Sequence, residues 1–313
     1  MSHQEAHTNI SPSDQYVKMP KTILIGASTV DFTFPAGTKT LPARAEATPA
    51  DPLLLASAML ARAGHSATFM SEAARDHLGD LVVAYLSGAE VDTVSIDRYA
   101  DGGTTPAAVR FASGEGEPIH YHRYPEDGFN TVWPRVDPDD VVIFGSSFAL
   151  RSRVRQQLAD FIDHVRRRKA LIVYMPGFPA DMVPNLTHVR PYILEYLEMA
   201  DLLLTSSHTL ARIFDDGDAA SCFARTMRFY CPAMINFDFA TGTVSHFQGS
   251  ITASASFTPA PDPTADERAR GIAATARSLV GMHITPENAR ILTTATLEAL
   301  TSEIASTLNS NTD

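Results

Sequence analysis

The side chains able to do chemistry are scattered, and few fall in a spacing that names a reaction. Asp31 follows the strand-like run Thr22-Ile23-Leu24-Ile25-Gly26. An acid just past a strand end stands where open α/β sheets bind ligands, and equally where a turn acid bonds its own backbone. His120 and His122 alternate on a strand-like segment and so share one face. Two imidazoles could begin a metal site, but such a site needs further ligands, and an exposed strand is the simpler reading. Thr264, Asp266 and Glu267 stand at a helix start, where a hydroxyl and two carboxylates cap and charge the first turn. Asp76 and Gly79 mark a turn. Trp133, between Val132 and Pro134, reads as a packing anchor, and Cys231, before Pro232, as a buried thiol. No nucleophile–base pair stands out.

The net charge of −11 argues against a nucleic-acid partner, because affinity for a phosphate backbone comes from clustered Lys and Arg. The one dense basic run, Arg166-Arg167-Arg168-Lys169, closes an expected helix and complements its dipole. The two cysteines, Cys222 and Cys231, have no metal or disulfide spacing and fit a reduced, cytoplasmic protein. No apolar run approaches the ~20 residues that span a bilayer, so no membrane partner is expected.

The scaffold for these residues is legible as alternation. Strand-like runs at 22–26, 67–70, 141–144, 170–174, 202–205 and 233–237 interleave with helical runs at 52–63, 80–87, 153–167, 191–199, 207–214 and 219–229. This order predicts an α/β domain with a mainly parallel central sheet and right-handed crossovers. Glu72 is placed in a turn after 67–70. Two closing helices are expected at 265–279 and 287–308, the second capped by Thr285 before Pro286. Strand pairs within 32–49 and 94–124, with turns at Asp101-Gly102-Gly103 and Gly114-Glu115-Gly116, predict a small β lid. The domain is expected to span 20–308, between a disordered tail at 1–19 and a frayed one at 309–313.

From about Thr22 to the C-terminus, this order resembles the PfkB (ribokinase-type) carbohydrate kinases. The motifs that carry the likeness are Gly26 to Asp31, the turn Ala74-Arg75-Asp76-His77-Leu78-Gly79, the strand ending Phe144-Gly145-Ser146, the stretch 170–178, and Phe229-Tyr230-Cys231. The resemblance implies a ribokinase-like three-layer αβα domain with a mainly parallel central sheet and a small β lid. It implies Mg-ATP as cofactor, a sugar or nucleoside as small-molecule partner, and a homodimer through the lid. It places Asp31, Asp51 and Arg110 at the substrate, Ser206, Thr209 and Gly242 at the nucleotide, and Asp266 as the base.

Phosphoryl transfer to a hydroxyl needs a base, amide N–H groups facing the moving phosphate, and a metal on the β and γ oxygens. In the family a Gly-Ala-Gly-Asp turn at a helix N-terminus supplies the first two; here the matching stretch is Pro261-Asp262-Pro263-Thr264-Ala265-Asp266, without either glycine. The family's Gly-Gly pair falls at Ala50-Asp51, its sugar-binding Asn at Leu55, its Asp-Pro-Asn-x-Arg strand end at Met175 to Pro179, and its Asn-x-x-Glu at Ser206 to Thr209. Phe237 and Phe239 stand where the family has a Thr-x-Gly-x-x-Gly loop. Two readings follow: a kinase-like protein of very weak or absent catalysis with a binding or structural role, or an active divergent sugar kinase using Asp266 as base.

Overall fold

Strand β1 (Thr22–Ile25) is buried on every residue, with Leu24 turned to one helical layer and Ile23 and Ile25 to the other. A strand apolar on both faces belongs in the interior of a parallel sheet. The computed structural model describes residues 20–100, 102–112, 118–125, 129–178 and 186–310. In it β1 lies between β4 (Ala67–Ala74) and β8 (Val141–Gly145), parallel to both. Parallel pairing continues from β8 through β9 (Leu171–Met175) and β10 (Leu202–Ser206) to β11 (Ala233–Asp238), and from β4 to β5 (Ile96–Tyr99). Two antiparallel strands, β12 (Thr243–Gln248) and β13 (Ile251–Ser256), complete a nine-stranded sheet in the order β13-β12-β11-β10-β9-β8-β1-β4-β5.

Helices cover both faces. One layer holds α1 (Pro52–Arg62), α2 (His77–Gly88), α7 (Ala265–Gly281) and α8 (Thr294–Asn309), whose buried residues form one apolar cluster with the sheet. The other holds α3 (Ser152–Arg167), α4 (Leu186–Met199), α5 (Ser207–Phe214) and α6 (Ala219–Arg225). This is the expected three-layer α/β architecture. Strand β13 forms one margin of the sheet and lies under α8. Asn309 fastens its end: Oδ1 accepts the Thr258 N–H at 2.9 Å and Nδ2 donates to the Ser256 carbonyl at 3.2 Å.

The second sheet is four-stranded, in the order β3 (Glu46–Pro49), β2 (Val30–Phe34), β6 (Thr104–Phe111) and β7 (Ile119–Arg123). Its register separates two faces. Val30, Phe32 and Phe34 lie opposite Ala107, Val109 and Phe111, with Tyr121 and Ile119 continuing the apolar side. Asp31 lies opposite Ala108, which lies opposite His120, so these residues share the other side with Thr33 and Arg110.

Several boundaries differ from the sequence expectation. Residues 96–99 join the large sheet through β4, so the first strand expected in the second lid segment belongs to the core. Glu72 lies within β4, because that strand runs on past the end of β1 to pair with β5. Helix α8 begins at Thr294, since Thr293 accepts the Thr296 amide, while Thr285 and Asn288 bond each other in a turn. It runs to Asn309, so the first residue of the expected C-terminal tail is helical. Helix α4 contains Pro191 in its interior rather than starting there. The turns expected at Asp101 and 114–116, Pro179, and the tails at 1–19 and 311–313 lie outside the described residues.

Candidate functional site

The C-terminal ends of parallel strands collect polar groups because side chains and loops converge there. Beyond β1, the Ser28 hydroxyl donates to Ser71 Oγ at 2.8 Å, and Ser71 Oγ donates to the Gly26 carbonyl at 2.7 Å. Asp51, 6% exposed, is the N-cap of α1: Oδ1 accepts the Leu53 amide at 2.9 Å and the Leu54 amide at 3.3 Å. Burial pushes its carboxyl above the ordinary range, and bonds from the Ala27, Leu53 and Leu54 amides and the Ser146 hydroxyl act against that shift. Ser146 follows β8 with a left-handed φ of 56°, and its amide donates to the Met175 carbonyl at the end of β9. A Cβ on Gly26 would come within 2.7 Å of Asp51 Oδ1, so only glycine lets β1 pass the cap so closely. Asp51, Ser146 and Met175 thus gather at one sheet end, with Asp51 bonded to the protein itself. Leu55 is 4% exposed and packed in the apolar cluster of α1, α7 and α8.

Asp31 and Arg110 meet on neighbouring strands of the small sheet, where Arg110 Nε donates to Asp31 Oδ2 at 2.5 Å. Asp31 Oδ1 is buried without a protein partner among the described residues. Asp31 and Asp51 belong to one continuous stretch of pairing: Val30 pairs with Pro49, and the Ala50 amide donates to the Thr29 carbonyl.

Glu72 and Arg151, which sequence spacing did not single out as partners, form a second polar centre. Arg151 Nη1 donates to Glu72 Oε1 at 2.5 Å, and the guanidinium stacks 3.9 Å from the Tyr124 ring and 4.6 Å from the Phe148 ring. Arg153 Nη1 donates to the Pro125 carbonyl beside it. Together they tie the segment leaving β7 to the core. Asp76 fastens the start of β6: as N-cap of α2 it accepts the Gly79 amide, and it also accepts the amide and hydroxyl of Thr105.

On the other side of the sheet end stand the residues matched to nucleotide binding. Ser206 is the N-cap of α5, accepting the Thr209 amide at 3.3 Å, with the two hydroxyls 3.0 Å apart. Gly242, at φ 67°, makes the turn between β11 and β12; a Cβ there would come within 2.2 Å of the Phe257 carbonyl oxygen. Phe237, Phe239 and Phe257 pack ring on ring with centroids 5.6 to 6.1 Å apart, and Phe237 lies against Gly271 of α7.

The N-terminus of α7 is closed by its own residues. Thr264 Oγ1 accepts the Glu267 amide at 3.2 Å, and Glu267 Oε2 accepts the Thr264 amide at 2.7 Å, a complete capping box. Pro263 carries no N–H. The Ala265 and Asp266 amides remain, beside two carboxylates that already complement the helix dipole. Asp266 is solvent-exposed in this turn. Among the described residues no group of three or more His, Cys, Asp or Glu side chains could hold a metal ion. Thr209, in place of an acid, adds no negative ligand. The capping box and Pro263 therefore leave few free amides at this helix end for the phosphates of a magnesium-bound nucleotide.

No protein-family model matches the sequence, and no curated protein does. Solved structures do. A fructokinase from Vibrio cholerae O395, solved with fructose, ADP and calcium ion bound, superposes with a TM-score of 0.74 at 13% identity over 92% of this chain and 91% of that one. A fructokinase from Xylella fastidiosa gives 0.71 at 16% identity over 90% and 91%. An aminoimidazole riboside kinase from Salmonella enterica, complexed with aminoimidazole riboside and an ATP analog, gives 0.68 at 15% identity over 92% of both chains. These likenesses cover about nine-tenths of each chain, and the chain has the ribokinase-like fold of the PfkB carbohydrate kinases.

Proposed function

We propose that this chain is a carbohydrate-kinase-like protein that binds a sugar or nucleoside and in which ATP-dependent phosphoryl transfer is very weak or absent. The observation that carries the reading is the Thr264–Glu267 capping box, which occupies two amides of the helix end that the family resemblance matches to a phosphate cradle. Removing such donors costs about 10²–10³ in rate apiece. The stacked phenylalanines and Thr209 support the same conclusion for Mg-ATP, with Ser206 and Gly242 serving a helix cap and a tight turn. On the substrate side, Asp31 Oδ1, without a partner among the described residues, and the outer edge of Arg110 favour a ligand between the two sheets, with Asp51 acting through α1.

Ile119 and Tyr121, 53% and 55% exposed on the apolar side of the small sheet, support a homodimer through this sheet. Sedimentation should then show a dimer that Ile119→Asp converts to monomer; a wild-type monomer at all concentrations rejects it. Among the described residues no helix is long and apolar enough to cross a membrane, and the two free buried thiols favour a cytoplasmic setting.

The test is a coupled ADP-release assay with Mg-ATP against a panel of sugars and nucleosides, beside Asp266→Asn. Turnover below the ordinary kinase range of roughly 1–100 s⁻¹, unchanged by the substitution, is expected. Turnover of about 1 s⁻¹ or more that Asp266→Asn abolishes establishes instead an active divergent sugar kinase with Asp266 as base.

A further inference from the structure

Val244, His246 and Gln248 alternate along β12 and so point to one face of the sheet. Val244 belongs to the apolar cluster that α7 and α8 form with that face. So do Ile235 and Ala253, the residues directly across from His246 on β11 and β13. Helix α8 packs on both β12 and β13. His246 therefore lies within the contact between the last helix and the last three strands, 2% exposed. Neither of its ring nitrogens has a hydrogen-bond partner among the described residues, and the same holds for Oε1 of the buried Gln248. The buried hydroxyl of α8 is already committed, because Thr301 donates it to the Leu297 carbonyl of its own helix at 2.6 Å.

A neutral imidazole in this place leaves one donor and one acceptor unused, whereas an imidazolium would leave two donors and a charge. Among the described residues nothing there offsets that charge. The buried stripes of α7 and α8 contain no acidic or basic residue, and the facing positions of β11 and β13 are apolar. The two acids of α8, Glu298 and Glu303, are solvent-exposed. Burial alone holds the imidazole below its ordinary range. A proton on His246 therefore has to be met by water, and α8 is the element that can admit water with the least loss of structure. It is the last helix, so it can leave without parting other elements, and its far end is held to the margin by the Asn309 clamp on Ser256 and Thr258.

We infer that α8 is an acid-released latch: protonation of His246 favours a state in which α8 has left β12 and β13 while the rest of the sheet stays folded. The latch is fully closed above about pH 6.5 and loosens as pH falls toward 4, since the open state binds a proton that the closed state refuses. With an ordinary imidazole in the open state and one titrating at about 4 in the closed state, the open population rises about twentyfold between pH 7 and 5. The unpaired Gln248 Oε1 weakens the same contact from within. Opening bares Leu297, Leu300 and Ile304 together with the strands they cover, so acid turns a covered sheet margin into exposed apolar surface.

The test is amide hydrogen exchange on the full chain, read residue by residue and corrected for the intrinsic pH dependence of exchange. Protection of the α8 amides should lie below that of β1 and β8 at both pH 7 and pH 5, and should fall about twentyfold between the two. In His246→Leu, which fills the site with an apolar side chain, α8 should be equally protected at both values. His246→Gln keeps a polar group that cannot titrate; it should behave in the same way, and it decides the question if the leucine variant does not fold. Exchange of α8 in step with β1 and β8 would show that the helix leaves only when the whole chain unfolds, and overturns the latch. So does α8 protection that ignores pH, or a fall of the same size in the variants.

Discussion

Glu72 on β4 and Arg151 at the start of α3 form an ion pair of 2.5 Å whose carboxylate is almost wholly enclosed. Removing one partner of an enclosed pair leaves the other charge without compensation, at about 3–5 kcal/mol when burial is complete. A fifth of the Arg151 side chain meets solvent, so Arg151→Ala should cost less, about 2–3 kcal/mol in urea unfolding. Because Arg151 also supports the Tyr124 ring, amide exchange at 119–124 should accelerate in the variant. Unchanged exchange there would show that the small sheet is held by other contacts.

The capping box predicts a smaller effect. Thr264→Ala should lower stability by about 1 kcal/mol, or roughly 2 °C in melting temperature for a domain of this size. Asp266→Asn, at an exposed position outside the box, should change stability by about 0.5 kcal/mol or less. A larger loss in Asp266→Asn would mean that this carboxylate has a structural partner of its own.

Much of the large sheet was legible because Val141 to Gly145 and Leu171 to Met175 are continuous apolar runs, the mark of strands buried on both faces. Strands β12 and β13 were not. Their sequences, TVSHFQ and ITASAS, carry small and polar residues, and pairing with β11 rather than composition makes them strands. Thr285-Pro286 imitates a helix start, yet the turn it opens stops short and the helix begins at Thr294, capped by Thr293. The site divides in the same way. Asp31 and the α7 turn could be found from local pattern, whereas the Tyr124–Arg151–Glu72 stack joins residues far apart in sequence.

Asp51 and Gly26 make a paired prediction. Asp51→Ala removes the acceptor of two buried α1 amides and should cost about 2–3 kcal/mol. Gly26→Ala drives a methyl to within 2.7 Å of the same carboxylate and 2.9 Å of Leu53 Cβ, and should cost about 1–3 kcal/mol by overpacking. The two substitutions disturb one contact, so their effects in guanidinium unfolding should not add in the double variant. Simple additivity would show that they act separately.

His246 on β12 is 2% exposed, and neither ring nitrogen has a protein partner among the described residues. Burial pushes its pKa down to about 4. The unfolded chain therefore binds a proton that the folded chain refuses between about pH 6.5 and 4. The contribution to stability is complete above about pH 6.5 and is lost as pH falls toward 4, amounting to roughly 3 kcal/mol at most. His246→Leu should flatten this part of the stability–pH curve. An equal slope in the variant would assign the acid sensitivity to other groups.

The clamp of Asn309 on the end of β13 bears on how the molecule behaves in a crowd. A sheet margin with free backbone groups is a template on which another chain can build. Here α8 lies over the marginal strand, and the Asn309 side chain occupies the Ser256 carbonyl and the Thr258 amide. The last turn of the last helix thus serves as a stopper against strand addition. Chains cut before Asn309 would gain the freedom to assemble edge to edge, scattering light at concentrations where the intact chain stays dispersed.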